Sequence, residues 1–378
     1  MNNAINNENK KLNVPNLRFP EFQGEWNLSK ISDVLSIGNG RDYKNLAKGD
    51  IPVFGTGGYM TSVSDYLYDG ETAFIGRKGT INKPYFYKGK FWTVDTLFYT
   101  HSFNGVTPHF VYCLFQTINW LRYNEASGVP SLSKDTIEKI KVHIPQIEEQ
   151  QKISHLLFLL DERIATQSKI IEDLKKLKSA IIENHYNQTE KQTASIADLG
   201  EPFGVGNLAK DDLTETGMPC VVYGELFTTY GETISQIESH TNKTTGMILS
   251  KKGDLLFPSS TTVDAMSLIS PSVINVDGVI LGGDMFGIHI NHNYNAQYLS
   301  YYFNHIAKRQ LAKFAKGSTI IHLHYTDIEK AKLLLPSLEE QNRMAKCLMS
   351  LDTKIDLEDE YLNILNCQKT CLLRQMFI

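Results

Sequence analysis

The amino-acid sequence predicts an α+β protein with an internal two-fold repeat, in which two mixed modules are joined by two long helices packed as an antiparallel coiled coil. Three observations lead to this prediction. A motif around Pro145 recurs 191 residues later, around Pro336. A seven-residue apolar repeat follows each copy. Strand-like and helix-like segments precede each copy in the same order.

The repeat is clearest in two stretches that share a Pro-x-Ile/Leu-Glu-Glu-Gln pattern. Residues 136–150 read TIEKIKVHIPQIEEQ, and residues 327–341 read DIEKAKLLLPSLEEQ. The offset of 191 residues also holds for the Leu-Asp pairs that follow, at 160–161 and 351–352. The chain is therefore predicted to contain two copies of one plan, each ending in the same element.

That element is a predicted helix of about 40 residues, which is about 60 Å long at 1.5 Å per residue. Apolar residues recur at spacings of four and three, and both copies interrupt the pattern at the same two places. The seam positions are Ile153, Leu157, Leu160, Ile164, Gln167, Ile171, Leu174, Lys178 and Ile181, and the residues 191 positions later. A lone helix cannot bury such a seam, so we expect the two helices to pack together as a spacer. A stabilising hairpin and a homodimer seam are the alternatives.

The predicted domain organisation follows from the repeat. The boundaries are a flexible leader at 1–14, a first module at 15–145, a helical spacer at 146–192, a second module at 193–336 and a second helical spacer at 337–378. Strands are predicted at 71–75 and 91–94 in the first module and at 254–257 and 272–274 in the second. Helices are predicted at 108–123 and 296–315.

Composition limits the function classes. A net charge of −4 argues against a protein that coats nucleic acid without specificity, but not against a reader with local cations. Five cysteines with no C-x-x-C motif predict a reduced, cytoplasmic protein without a zinc site. No run of eighteen apolar residues exists, so we expect no membrane span.

Catalytic motifs are absent or incomplete. No G-x-x-x-x-G-K-[ST] phosphate loop occurs, so an ATP-driven motor is not expected. The Asp161-Glu162 pair falls within the heptad helix and is predicted to be a solvated helix face. The stretch Asn82-Lys83-Pro84-Tyr85 resembles the Asn-Pro-Pro-Tyr of amino-methyltransferases, but Lys83 replaces the first proline, and we interpret it as a turn. We therefore expect no catalytic residue and no metal ligand.

Taken together, these motifs resemble the specificity subunits of type I restriction–modification systems. The resemblance depends on LRFPEF at 17–22 with GEW at 24–26, on FGTGG at 54–58, and above all on the two Pro-x-Ile/Leu-Glu-Glu-Gln copies with their Leu-Asp and heptad helices. It covers nearly the whole chain from about residue 14. The helical part is specific, whereas the modules match the family weakly.

The resemblance implies a non-catalytic subunit with two target-recognition domains, each reading one half of a gapped double-stranded DNA site, and helices that set the gap. It implies two modification subunits, which methylate adenine with S-adenosylmethionine, and restriction/translocase subunits, which use ATP and Mg²⁺. No cofactor is expected on this chain. Because the two modules differ, we expect an asymmetric site, with half-site centres about one helical turn apart.

Candidate DNA contacts are cations and small polar residues in predicted turns, since these groups bind phosphates and base edges. In the first module they are Arg41, Lys44, Arg77, Lys78, Thr80, Ser131 and Lys134. In the second they are Ser260, Thr261, Lys313, Lys316, Ser318 and Thr319. The alternative for each is a solvated surface group.

Candidate partner-binding residues are the acidic pairs at the start of both long helices. They are Glu148, Glu149, Glu339 and Glu340. We expect them on exposed helix faces, where the modification subunits of the family dock.

Two other function classes remain open. A scaffold that binds only protein would show no salt-dependent DNA binding in its assembled complex. A nuclease or methylase with a divergent site would act on DNA when supplied with Mg²⁺ and S-adenosylmethionine. The DNA target, the gap length, and whether the complex cuts or only methylates do not follow from the sequence.

Overall fold

The computed structural model describes residues 13–378, so most of the predicted leader, residues 1–12, lies outside the described residues. The described chain forms two compact units. The first comprises the described residues up to Lys169 together with Asp359–Ile378, and the second comprises Ile170–Glu358. Each long helix therefore contributes one part to each unit. The domain boundaries expected from the sequence remain predictions.

The first unit contains a six-stranded sheet, a two-stranded sheet and short helices. Its strands are β1 (Asn27–Lys30), β2 (Ser36–Asn39), β3 (Lys48–Gly55), β4 (Gly58–Val63), β5 (Tyr68–Gly76), β6 (Tyr85–Thr93), β7 (Leu97–His101) and β8 (Lys141–Ile144). Its helices are α1 (Ile31–Val34), α2 (Pro108–Thr117), α3 (Lys134–Lys139) and the first part of α4 (Ile147–Gln188). The large sheet has the order β2-β7-β5-β6-β3-β4, and β1 pairs with β8.

The second unit contains two five-stranded sheets and two short ribbons. Its strands are β9 (Gln192–Ser195), β10 (Gly200–Gly204), β11 (Leu213–Thr214), β12 (Met218–Val222), β13 (Thr233–Ile234), β14 (Ser239–Thr241), β15 (Ile248–Leu249), β16 (Asp254–Pro258), β17 (Ser260–Thr261), β18 (Ser272–Ile274), β19 (Ile280–Gly282), β20 (Met285–Ile290), β21 (Ile321–His322) and β22 (Lys332–Leu335). Its helices are α5 (Glu225–Thr228), α6 (Ala265–Leu268), α7 (Ala296–His305), α8 (Lys308–Leu311), α9 (Tyr325–Ile328) and the first part of α10 (Leu338–Met376).

The sheets of the second unit have the orders β10-β20-β16-β18-β13 and β11-β14-β12-β19-β15. The ribbons pair β17 with β21 and β9 with β22. The pairing of β9 with β22 repeats that of β1 with β8, since in both cases the strand just before the long helix pairs antiparallel with the first strand of its module. The two-copy plan predicted from the sequence is confirmed in these elements.

The four strands predicted from the sequence are confirmed. The segments at 71–75, 254–257 and 272–274 lie within β5, β16 and β18, and the segment at 91–94 overlaps the end of β6. Every residue of β16 is buried. Strand β16 has neighbours on both sides in its sheet, and both of its faces are covered, so its sequence shows no polar alternation.

The helices predicted at 108–123 and 296–315 are interrupted rather than continuous, because a 3₁₀ turn at 120–123 follows α2, and α8 with a 3₁₀ turn at 312–314 follows α7. The first ends at Thr117, where Ile118 becomes extended, and the buried Trp120 indole donates back to the carbonyl of Phe115 at 2.8 Å. The second ends at His305, where both Ile306 and Ala307 donate to the carbonyl of Tyr302 and end the regular ladder. Tertiary burial of apolar residues beyond the helix ends produced the longer apolar pattern.

The long helices α4 and α10 confirm the predicted seam, because every seam position is buried or half-buried. In the first unit, Ile153 and Leu157 of α4 share one core with Met376 at the end of α10. In the second unit, Ile182 near the end of α4 shares one core with Met344 near the start of α10. The start of each helix therefore lies beside the end of the other, which is the antiparallel coiled-coil arrangement.

Two ion pairs occupy one of the two interruptions of the heptad pattern in each long helix, at Lys178 and at Lys369. Lys178 of α4 binds Asp352 of α10 at 2.5 Å in the second unit, and its side chain is only 8% exposed. Lys369 of α10 binds Asp161 of α4 at 2.5 Å in the first unit. The two lysines are 191 residues apart, and so are the two aspartates. We call these ion pairs the Lys–Asp locks.

Each lock also contacts a tyrosine on its module. The Tyr301 hydroxyl donates to Asp352 at 2.6 Å, and the Lys178 ammonium lies 4.7 Å from the Tyr301 ring centroid. The Lys369 ammonium lies 5.8 Å from the Tyr112 ring centroid. Burial raises the pKa of the Tyr112 hydroxyl, and the Asp161 carboxylate raises it further. The prediction that Asp161 lies on a solvated face is therefore wrong, because the sequence does not show which residue will face it.

A second carboxylate reinforces the lock of the second unit. Glu232 binds Lys178 at 3.2 Å and His305 at 2.9 Å. Burial alone would raise the pKa of Glu232. The hydrogen bond from His305 and the charge of Lys178 outweigh burial and lower that pKa to about 2. The ammonium of Lys178 thus contacts two carboxylates, those of Asp352 and Glu232.

The glutamine of each Glu-Glu-Gln motif joins its long helix to the preceding module. Gln150 is buried, donates to the carbonyls of Gly105 and Pro145, and accepts from the backbone N–H of Thr107, each at 2.9 Å. Gln341 is also buried, donates to Pro336 and accepts from the backbone N–H of Asn295. Thr107 and Asn295 are the N-cap residues of α2 and α7. The repeated glutamine therefore fixes the start of a module helix against the start of a long helix.

We predict that the lock of the second unit stabilises that unit far more than a surface ion pair does. Lys178→Ala leaves two carboxylates without their shared cation, and we expect the free energy of unfolding to fall by about 2 kcal/mol. Lys176→Ala, two residues away and paired with Glu172 in solvent, should leave the free energy of unfolding nearly unchanged, because exposed ion pairs contribute little. Urea unfolding of both variants and of Asp352→Ala measures this. Fully additive effects of Lys178→Ala and Asp352→Ala in the double variant would contradict the pairing.

Candidate nucleic-acid interface

The basic turn of the first module follows the central strand β5. Its backbone is held in place, since the N–H groups of Arg77 and Lys78 both donate to the carbonyl of Thr96, at 2.8 and 3.2 Å. Gly79 has a φ of +94°, a left-handed conformation that side chains rarely adopt. The turn thus presents two exposed cations and the exposed Thr80 from a fixed backbone.

Ser131 lies directly opposite this turn. Lys78 and Ser131 form an isolated antiparallel bridge, and the N–H of Leu132 donates to the carbonyl of Arg77 at 2.8 Å. The Arg77 guanidinium lies 5.8 Å from the Phe98 ring centroid. A cleft of about 570 Å³ forms here, and it is lined by Asn39, Arg77, Lys78, Asp95, Thr96, Phe98, Glu125, Ala126, Val129, Ser131, Leu132, Ser133 and Lys134. We call it the first cleft.

The structure brings together four of the seven predicted DNA contacts of the first module. Arg77, Lys78, Ser131 and Lys134 line the first cleft, whereas Arg41, Lys44 and Thr80 do not. Arg41 follows β2, and its backbone is fixed by bonds to Thr93 and to the Trp92 indole. Lys44 is exposed in the same loop.

The corresponding region of the second module is also a cleft. Ser260 and Thr261 form strand β17, which pairs antiparallel with His322 and Ile321 of β21. The cleft has a volume of about 760 Å³ and is lined by Tyr223, Gly224, Leu226, Phe227, Thr228, Tyr230, Gly231, Glu232, Ser260, Thr261, Thr262, Val263, Ser267, Ser270, Asn304, Lys308 and Ile320. We call it the second cleft.

The other predicted contacts of the second module lie on or near the loop that precedes β21. Ser318 and Thr319 are exposed in this loop, and Lys313 is exposed in the 3₁₀ turn before it. None of the three lines the second cleft. The ammonium of Lys316 is paired with Asp327 at 2.5 Å, although the side chain is largely exposed. Among the predicted contacts, only Ser260 and Thr261 line this cleft.

Both clefts are bordered by equivalent loops, which the sequence indicates as Gly/Ser/Thr turns at 127–133 and 317–319 without showing that they close on a cleft. In the first module the N–H of Glu125 donates to the carbonyl of Ser131 at 3.0 Å, and in the second the N–H of Lys316 donates to the carbonyl of His322 at 2.9 Å. The two bonds are related by the same offset of 191 residues. We call residues 125–131 and 316–322 the tip loops. The repeat thus begins earlier than the motif that revealed it, and the signal was Leu132 and Leu323, buried at the same offset.

The tip loops share their frame but differ in charge. In the first, Glu125 accepts hydrogen bonds from Thr136 and Ser133, which lower the pKa of its carboxyl group. In the second, the equivalent position is Lys316, which binds Asp327, the equivalent of Thr136. The same contact is therefore made with reversed polarity. The turn opposite it is basic in the first module and hydroxyl-rich in the second.

Comparison with known proteins identifies the family. A family model described as the type I restriction modification DNA specificity domain matches residues 23–176 and again residues 189–366. The chain belongs to the family of type I restriction–modification specificity subunits. It is thus the non-catalytic subunit of such a system, as the resemblance implied.

Individual specificity subunits agree with this assignment. The MjaVIII specificity subunit of Methanocaldococcus jannaschii is 24% identical over 324 residues, which cover 77% of this chain and 72% of that protein. The crystal structure of the S subunit from M. genitalium has a TM-score of 0.66 at 14% identity, covering 97% of this chain and 99% of that one. A chain from a structure of type I complex assembly and conformational transition has a TM-score of 0.55 at 14% identity, covering 92% and 96%. At these identities the two structures show the fold alone.

The acidic pairs at the start of the long helices are not equivalent in exposure. Glu148 and Glu339 are exposed, as predicted. The expected exposure of Glu149 is wrong, because its side chain is 1% exposed and binds Arg18 through two bonds of 2.7 Å. Glu340 is half-buried and binds Arg343 and His185.

The burial of Glu149 explains why three motifs occur together. Arg18 belongs to the LRFPEF stretch and Trp26 to the GEW stretch, and both donate to the Glu149 carboxylate. A fork of two charge-assisted bonds fixes the N-terminal segment on the start of α4. The acidic residue is therefore structural in this copy.

No helix among residues 13–378 is long and apolar enough to cross a membrane. Within the same residues, no group of three or more His, Cys, Asp or Glu side chains is placed to hold a metal ion.

We predict that Arg77 and Lys78 bind DNA phosphates. The double variant Arg77→Ala/Lys78→Ala in the assembled complex should lower DNA affinity for all sequences and reduce the slope of log K against log salt by about 2, or about 1 for each lost contact. Lys141→Ala, an exposed lysine on β8 outside the first cleft, is the matched control and should leave the slope unchanged. An unaltered slope in the double variant would show that neither cation touches DNA.

Proposed function

We propose that this specificity subunit reads a bipartite, asymmetric site in double-stranded DNA, one half with each module. The observation that supports this most is the pair of equivalent clefts. The tip loops of the two clefts repeat at the offset of 191 residues, but the turns opposite them differ, with Arg77 and Lys78 in one and Ser260 and Thr261 in the other. Equal frames with different hydrogen-bonding groups suit two readers of different base sequences.

The proposal assigns the chemistry to partner subunits. Two modification subunits would bind the chain and methylate adenine with S-adenosylmethionine, and restriction/translocase subunits would supply ATP- and Mg²⁺-dependent translocation and cleavage. The chain itself would hold no cofactor. Its long helices would act as the spacer that sets the number of unread bases between the half-sites, because their mutual register is fixed by the Lys–Asp locks.

A protein-only scaffold is the competing function. It has the same fold and the same helices, but it gives no reason for cations and hydroxyl groups to border both clefts. The assembled complex of a scaffold would bind DNA no better at low salt than at high salt, whereas phosphate contacts make binding fall steeply with salt.

We predict a new methylated adenine motif in cells that express this chain with its cognate modification subunit. The motif should have two different parts separated by a fixed number of unspecified bases, and it should be absent from cells that lack this chain. Methylome sequencing of both strains measures it. An unchanged methylome in spite of a stable complex would reject DNA recognition and favour the scaffold.

We predict that Glu148 and Glu339 contribute to docking of the modification subunits, since they are the exposed members of the two acidic pairs. Reversing both charges with Glu148→Lys and Glu339→Lys should weaken co-purification with the modification subunit about tenfold. The control is Glu183→Lys with Glu360→Lys, which reverses one exposed charge on each long helix at other positions. Equal recovery of partner by both double variants would place the docking surface elsewhere.

A further inference from the structure

Each tip loop presents one exposed aliphatic side chain at the edge of its cleft. Val129 is 55% exposed and Ile320 is 50% exposed, and they line the first and the second cleft. The two residues are 191 positions apart, so they occupy equivalent places in the repeated frame. A single exposed aliphatic residue needs no explanation, but two at equivalent loop positions beside both clefts do.

The first tip loop is held rigidly. The Asn124 side chain accepts from the N–H groups of Ala126 and Ser131, at 3.1 and 2.9 Å, and donates to the carbonyl of Ala126. The N–H of Gly79 donates to Pro130, which ties the loop to the basic turn. Val129 is therefore presented from a fixed backbone and loses little conformational freedom on binding.

The second tip loop keeps the equivalent closing bond and adds contacts that the first loop does not have. Lys316 and His322 exchange two backbone hydrogen bonds, of 2.9 and 2.7 Å. Gly317 has a φ of +113°, and a Cβ atom there would lie 2.0 Å from the carbonyl oxygen of Ile320. Only glycine therefore permits this loop conformation. The two loops share one closing bond, from Glu125 to Ser131 and from Lys316 to His322, and otherwise different contacts fix the same aliphatic position.

Polar groups lie in both clefts beside these side chains, together with apolar ones such as Phe98 in the first and Phe227 in the second. Ser131 and the cations Arg77 and Lys78 border Val129 in the first cleft, and Thr261 and Lys308 border Ile320 in the second. Hydroxyl groups and cations can bind base edges and phosphates. An aliphatic side chain forms no hydrogen bond, and the apolar group that a base pair offers in the major groove is the C5-methyl group of thymine.

We propose that Val129 and Ile320 are specificity-determining residues, each of which contacts the methyl group of one thymine in the half-site read by its module. This inference rests on the proposed DNA-reading function and adds to it a base and a chemical group. Each contact would discriminate thymine from cytosine, which carries hydrogen in place of that methyl group.

The test uses the complex of the full chain with its modification subunit and the bipartite duplex that methylome sequencing defines. Each thymine is replaced in turn by deoxyuridine, which removes only the methyl group. We expect one thymine in each half-site at which this change weakens binding about fourfold, the factor for burial of one methyl group. Val129→Ala should weaken binding to the unmodified duplex by a similar factor and should cause no further loss on the sensitive deoxyuridine duplex. Ile320→Ala should do the same for the other half-site.

Matched controls are Leu121→Ala and Leu249→Ala, which shorten exposed aliphatic side chains outside the tip loops and should leave affinity within twofold. If the variant and the deoxyuridine duplex together weaken binding by the product of their separate factors, the contact between that side chain and the methyl group is contradicted. In that uncoupled case the loss from Val129→Ala is equal on thymine and deoxyuridine duplexes, and it would point to a wedge between base pairs instead of a methyl contact. A half-site that contains no thymine would also contradict the contact. Failure of the proposed function is distinct, since the wild-type complex would then select no bipartite site.

Discussion

The two Lys–Asp locks are the constraint on which the rest of the structure depends. A lysine in a coiled-coil seam is costly to desolvate unless a carboxylate meets it, and here each lysine meets an aspartate of the other long helix at 2.5 Å. A shift of the helices past one another by one heptad would separate both pairs and leave the largely buried ammonium groups of Lys178 and Lys369 without their aspartates. The apolar seam alone would tolerate such a shift. The locks therefore specify the register that the apolar residues cannot specify.

Side chains that are also repeated in the two halves connect the long helices to each module. Tyr301 ties the second-unit lock to α7, and Tyr112 places α2 beside the lock of the first unit. Gln150 and Gln341 fix the starts of the same two module helices against the starts of the long helices. Each module is thus held at both the lock and the glutamine. In a DNA reader, this would place each cleft at a fixed point along its own helix.

The sequence predicted this framework because its signals are periodic or duplicated. The seam, the Leu-Asp pairs and the Glu-Glu-Gln copies could all be recognised by comparing the chain with itself. Predictions failed where the outcome depended on a residue distant in sequence. Glu149 was expected in solvent but meets Arg18 and Trp26, and Asp161 was expected in solvent but meets Lys369. Only part of each cleft could be predicted, for the same reason. Composition indicates the basic turn of the first module, whereas only the fold shows that Ser131 lies opposite it.

Comparison of the two halves distinguishes residues that hold the backbone in place from residues that form the surfaces of the clefts. Positions that repeat in identity or in burial, such as Gln150 and Gln341, hold backbone in place. Positions that repeat in location but differ in chemistry border the clefts, and the pair Glu125 and Lys316 even exchanges its charge while keeping its contact with the following helix. A structural contact can survive such a reversal, because the partner changes with it. The electrostatic potential that a cleft presents to a ligand does not survive the reversal. The two clefts must therefore favour different groups on whatever they bind. A duplex with two unlike half-sites meets that requirement, and a symmetric partner does not.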